Sequence, residues 1–274
     1  LYQRINKQAD IPIYPEMLIW VFIQNREFDN ALRQAKALDK RQRENGGRIY
    51  RLAQTAIREK NYDAGIAAYE YIILEKGKDC PYYIDSKRYI LAAKRDQLVE
   101  GFVYTEADLR SLEQEYEGFL SEFGRSYNTA LIMREMAELE AFYLNDLSKA
   151  TSILSEVVAM KRLSRIAVAE AKIDLGDYYL MQGEVWESSL LYSQVDKEMK
   201  DAPLGEMARY KNAKLSYYKG DFEWAQDQLD ILKGSTSELI SNDAIDLSVF
   251  ILEHYALDTT ARPMLLFATA ELLS

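Results

Sequence analysis

The stretch Asp174-Leu175-Gly176-Asp177-Tyr178-Tyr179-Leu180-Met181-Gln182-Gly183-Glu184 decides the fold. Its apolar residues recur at helical spacing, and Gly183 follows where a left-handed residue can end a helix. A second periodic run then begins. Tyr217-Tyr218-Lys219-Gly220-Asp221-Phe222-Glu223-Trp224-Ala225 has the same plan of helix, glycine turn and helix.

Working outward, the opening of the second helix recurs. Asn25-Arg26-Glu27-Phe28-Asp29-Asn30-Ala31 is one copy, and Glu59-Lys60-Asn61-Tyr62-Asp63-Ala64-Gly65 is the next. From these openers, apolar or small residues follow four and seven places on, which puts all three on one helix face. The sets are Ala31, Ala35 and Leu38; Gly65, Tyr69 and Ile72; Leu112, Tyr116 and Phe119; Ala150, Leu154 and Val157; Ser188, Tyr192 and Val195; and Ala225, Leu229 and Leu232. The openers are 34, 47, 38, 38 and 37 residues apart. Glycines at 46–47, 77, 124, 183, 220 and 234 fall between helices, and Pro12, Pro15, Pro81, Pro203 and Pro263 fall where helices begin. Thr105-x-x-Asp108 reads as a capping box.

Leu175-Gly176-x-x-Tyr179 resembles the Leu-Gly-x-x-Tyr element of the tetratricopeptide repeat (TPR) family, whose period is about 34 residues. The resemblance spans nearly the whole chain in degenerate form. Ala53 and Ala213 stand where the second and sixth copies would carry the glycine, and the 47-residue step demands longer helices with a loop near Gly101. It implies an all-α, right-handed superhelical solenoid of antiparallel helix pairs. We expect one array over residues 1–274, of about six pairs and a partial seventh, cut from a longer one. First helices are expected near 14–25, 47–59, 81–99, 127–144, 163–181, 204–218 and 239–255. Second helices are expected near 28–44, 62–76, 105–122, 147–160, 184–199, 221–233 and 261–273, with Leu1 to Asp10 as the tail of an earlier second helix.

Composition sets the chemical limits. The net charge of −10 opposes binding to nucleic acid or to an anionic membrane surface, both of which need basic protein surface. The longest apolar run, Met17 to Ile23, is far short of the roughly 20 residues of a membrane span. One cysteine, Cys80, and one histidine, His254, make neither an internal disulfide nor a Cys/His metal site. There is no nucleophile elbow and no phosphate-binding glycine loop. His254 lies four residues before Asp258, a pairing that reads first as a polar helix end. No enzyme and no cofactor is expected.

The resemblance implies a binding surface on the concave side, lined by first helices. In co-chaperone members a basic, asparagine-rich clamp there holds a terminal carboxylate. The matching positions here are Glu16, Tyr50, Gln54, Asp174, Asp177, Lys211 and Lys214, so that clamp is absent. Asp174 and Lys211 are 37 residues apart, as are Asp177 and Lys214, matching one repeat step. The four read either as surface ion pairs or as a mixed-charge peptide site, with Tyr210 and Tyr218 beside them. Tyr69, Tyr116, Tyr179 and Tyr192 read as core; Tyr50, Tyr178, Tyr210 and Tyr218 read as less buried and suited to contacts. Trp186 and Trp224 open second helices off the core face. They read either as anchors for a partner or as packing over an adjacent turn. The function expected is a non-catalytic scaffold for an unknown protein or peptide, with a peptide-sensing regulatory module and an enzyme's accessory domain as alternatives. Self-association through cut ends near Leu265, Leu266 and Leu272 is also expected. The tyrosine-rich, degenerate repeats resemble those of bacterial envelope-associated TPR proteins, which implies a periplasmic location, with the cytoplasm as the alternative.

Overall fold

The computed structural model describes residues 13–101, 104–200, 202–235, 237–255 and 261–273, and every regular element among them is helical. The expectations for Leu1–Asp10, Pro12 and Asp258 lie outside the described residues. The helices cluster into two compact units, Leu1–Gly124 and Arg125–Ser274.

The first unit holds α1 (Ile13–Gln24), α2 (Phe28–Gln42), α3 (Gly47–Arg58), α4 (Tyr62–Tyr71), α5 (Tyr83–Gly101) and α6 (Glu106–Phe123). A π-helical turn, Ile72–Lys76, extends α4 and was not legible from periodicity. The second unit holds α7 (Ala130–Phe142), α8 (Leu147–Val158), α9 (Arg165–Met181), α10 (Val185–Glu198), α11 (Pro203–Tyr218), α12 (Phe222–Leu232), α13 (Glu238–Tyr255) and α14 (Arg262–Leu273). These ends fall close to those expected. The long 47-residue step is met by 19 residues in α5 and 18 in α6, with the Thr105–Asp108 capping box formed at the start of α6.

All eighteen opener, four-on and seven-on positions are buried. Ala31, Ala35, Ala150, Leu154, Ser188, Ala225 and Leu229 are fully enclosed, as are Ala53 and Ala213 at the first-helix positions. Small residues at these crossings let backbones approach, and the stack buries a face that a single pair would leave wet. Within each unit, the second helices α2, α4, α8, α10 and α12 each pack on their own first helix and on the first helix of the next pair.

One turn geometry joins five of the pairs. Two residues before the second helix the backbone enters the left-handed region, at Arg26 (φ 60°), Lys60 (60°), Asn145 (55°), Gly183 (81°) and Gly220 (80°). The residue after it is the N-cap. Asn61, Asp146 and Asp221 accept a hydrogen bond from the backbone N–H three residues on. The glycine signal marks only two of the five turns because the other three tolerate a conformation that costs an L-residue about 1–2 kcal/mol.

Two expectations are corrected. Tyr178, not Tyr179, is the buried tyrosine of α9; Tyr178 is 4% exposed and meets Phe142 of α7 edge-on at 5.7 Å. Tyr179 is half-buried. The helix at 261–273 forms, but it does not continue the regular pairing. α14 packs on α11, the first helix of the preceding pair.

Candidate protein-binding face

The face built by first helices of the second unit carries an ordered charge ladder. Arg134 of α7 forks onto α9, with Nε and Nη2 at 3.0 and 2.8 Å from Asp174 and Nη1 at 2.6 Å from Glu170. Burial pushes the Asp174 carboxyl above its ordinary pKa, against the pull of Arg134. Sequence reasoning missed Arg134; its signal was its place 40 residues before Asp174, close to one repeat step.

Asp177 is the next rung. Lys211 Nζ of α11 lies 2.8 and 3.0 Å from its two oxygens. Tyr192 of α10 donates its phenol to the same carboxylate at 2.6 Å. That phenol reaches Asp177 because Gly176 has no side chain: a Cβ there would sit 2.6 Å from the Tyr192 ring. The expected pairing of Asp174 with Lys211, and of Asp177 with Lys214, is therefore shifted by a turn. Lys211 takes Asp177, Arg134 takes Asp174, and Lys214 turns elsewhere.

Lys214 faces α14. Its Nζ is 3.8 Å from Glu271 and 5.5 Å from the Tyr218 ring centroid. Burial works against the Lys214 charge, but Tyr218, Tyr210 and Glu271 hold its pKa above the ordinary lysine value. Tyr217 and Tyr218 donate to Glu271 at 3.2 and 3.5 Å. Burial and Glu271 push the Tyr217 phenol up, so it remains a neutral donor. Tyr210 is half-buried against the core of α11, α12 and α13. Of the expected site residues, Asp177 and Lys211 touch, Asp174 stands one turn from Asp177 on α9, and Lys214, Tyr210 and Tyr218 cluster beneath α14.

The tryptophans lie on second helices. Trp186 is 80% exposed, with Lys219 Nζ 4.6 Å from its ring centroid, and Trp224 is 57% exposed. The Lys219 contact is the turn packing weighed for Trp186, yet most of the ring stays open. Trp224 edges a groove of about 550 Å³ with Ser193, Asn212, Gln228 and Ile231.

Tyr50 and Gln54 belong to α3 of the first unit. Tyr50 is half-buried in a tyrosine cluster, stacked on Tyr82 at 4.7 Å and edge-on to Tyr69 at 5.7 Å. Burial pushes its phenol up to about 12. Gln54 is exposed. His254 lies with Nδ1 2.8 Å from the Phe250 carbonyl and its ring against Phe250, a helix-end arrangement. Among the described residues, no three His, Cys, Asp or Glu side chains gather as a metal site, and no helix is long and apolar enough to cross a membrane.

Comparison of the fold with solved structures finds a Podosopora anserina protein described as a kinesin light chain, with nearly identical TPR-like repeats. It aligns at TM-score 0.52 and 16% identity, covering 66% of this chain and 90% of that one. The fold is TPR-like. A variant of the same protein aligns equally well. A thermophilic TPR protein of Thermus thermophilus covers 74% of this chain and 98% of its own, at TM-score 0.45 and 16% identity. Scans of protein-family models and of curated proteins by sequence find no match. The absence of a sequence match fits a TPR-like array in which the Leu-Gly-x-x-Tyr element is intact only at 175–179 and three turns lack their glycine.

Proposed function

We propose that the chain is a non-catalytic protein-interaction scaffold that takes a partner segment on the first-helix face of its second unit. The observation that carries this reading is the α11 surface. Lys214, Tyr217 and Tyr218 together hold a helix, α14, by apolar contact and a shared carboxylate. Aromatic side chains beside a half-buried cation are what protein interfaces use as anchors. Asp174, Asp177 and Lys211 extend the same face as a mixed-charge rim, and rim charges set specificity more than affinity. Tyr50 and Gln54 offer a further contact surface on the first unit, and Trp186 and Trp224 a second one on the outer helices.

The test is site-specific photo-crosslinking in cells of origin. p-Benzoylphenylalanine is placed in turn at Tyr210, Tyr218, Gln54, Trp186 and Trp224. The expected result is a discrete crosslinked partner from Tyr210 and Tyr218, lost when Lys211 and Lys214 are both reversed to glutamate in a chain that keeps its helical content. Crosslinks from Trp186 or Trp224 alone would move the binding surface to the outer helices and overturn the assignment.

A further inference from the structure

α14 lies where no regular second helix lies. Leu265 reaches the turn after α11, with its Cδ1 2.8 Å from where a Cβ of Gly220 would be. Six residues on, Glu271 meets Lys214, Tyr217 and Tyr218. From Gly220 back to Lys214 is also six residues, so α14 runs antiparallel to α11 over about 9 Å of matched rise. Met264 and Ala268 are buried, at 4% and 0% exposed, and Glu271 follows at the seventh place, on the same helix face. Phe267 touches Phe250 of α13 at 5.3 Å. The remaining contact with solvent is large: Leu266 is 64% and Phe267 54% exposed.

We propose that α14 is a resident ligand, an internal helix seated on the site at which the chain takes a partner's helix. This rests on the first-helix reading above and names its ligand class. The partner is an amphipathic helix with an apolar residue, a small residue four places on, and a carboxylate seven places on from the first. Three features argue for that occupant. Glu271 is held by two phenols and an ammonium, an anion-accepting trio within a chain of net charge −10. The small Ala268 allows close approach to α11. α14 presents one buried face, with Met264 and Ala268 in the core shared with α11 to α13, and an open apolar one at Leu266 and Phe267. Partner binding is then an exchange: α14 leaves as the foreign helix arrives, and tethering makes the resident helix a strong competitor.

The experiment uses the full chain and a fluorescein-labelled peptide of the α14 sequence, Ala261–Ser274. Fluorescence anisotropy is read for the wild type and for a loosened variant, Ala268→Asp. The expected result is at least tenfold tighter uptake by the loosened variant, because its own helix no longer competes. A peptide carrying Glu271→Lys should bind at least tenfold more weakly, and Lys214→Glu in the loosened chain should restore it in part. If Ala268→Asp proves poorly folded by circular dichroism, hydrogen exchange on the wild type decides instead. α14 amides should exchange at least tenfold faster than those of α11 to α13, and faster still when excess peptide displaces the helix. Equal peptide binding by wild type and loosened chain, or α14 exchange as slow as that of α11, overturns the proposal. So does a loosened chain that dimerises and takes no peptide, since the site then serves only a second copy. Retained crosslinks at Tyr210 and Tyr218 alongside such a failure would leave the scaffold reading standing and remove only the helix exchange.

Discussion

A methyl group at Gly176 would press into the Tyr192 ring at 2.6 Å, whereas one at Gly183 would meet nothing within 4 Å. The two glycines are therefore needed for different reasons, and their substitutions separate them. Gly176→Ala overpacks a helix crossing and should cost about 1–3 kcal/mol. It should also push the Tyr192 phenol off Asp177, visible as a shift in tyrosine absorbance on alkaline titration. Gly183→Ala should cost about 1–2 kcal/mol, because a left-handed backbone (φ 81°) sets the new Cβ against its own adjacent backbone, although no other residue stands in its way. Urea unfolding of both variants checks the pair; an unchanged midpoint for Gly176→Ala would show that Tyr192 has room to spare. At this scale the sequence was informative where a residue had to be small. It was silent where one had to be strained, since Arg26, Lys60 and Asn145 occupy the same turn without announcing it.

Helix positions and faces followed from the period, but the partners of charged side chains did not. Repeat arithmetic marks equivalent positions, and equivalent positions are nearest neighbours only when adjacent helices are not displaced along their axes. Here the displacement is about one turn, which moved Lys211 from Asp174 to Asp177. Arg134 serves Asp174 and Glu170 at once and is largely shielded, with 20% of its side chain exposed. Arg134→Leu leaves both carboxylates without that partner, and it should cost about 2–3 kcal/mol by thermal or chemical unfolding. In the first unit, Glu122 of α6 takes hydrogen bonds from Lys87 and Tyr83 of α5 and pairs with Lys78. Lys87, followed by Lys78, holds its pKa below the ordinary 4.5. A carboxyl lowered in the folded state adds stability above its unfolded pKa and loses it as pH falls through the folded value. Melting temperature should thus drop below about pH 4.5, and Glu122→Gln should make that drop shallower; a superimposable pH profile would rule Glu122 out as a contributor.

Across the molecule, each helix pair leans mainly on its neighbours, so damage should stay local. Ala225 is fully enclosed in the core of α11 to α13. Ala225→Trp should cost about 1–3 kcal/mol and speed amide exchange in α11 to α13, while amides of α1 to α4 keep their rates. Acceleration throughout the chain would show one cooperative block instead. The TPR-like architecture was legible because its opener pattern recurs in six copies. The docking of α14 was not, because a helix that completes a pair and one that folds back on an earlier pair have the same apolar spacing. What separates them is Glu271, a charge at the edge of the buried face whose partners lie more than fifty residues away.

The Tyr192 side chain starts on a second helix, passes Gly176 of the first, and ends on the carboxylate that Lys211 grips from the neighbouring repeat. It acts as a transverse tie through the thickness of the layer. Were Lys211 drawn off Asp177, the Tyr192 phenol would still hold that carboxylate from α10. Solenoids are usually pictured as relaying strain lengthwise, from one repeat to the next. In the second unit Asp177 thus joins three helices, α9, α10 and α11, through the thickness of the stack as well as along it.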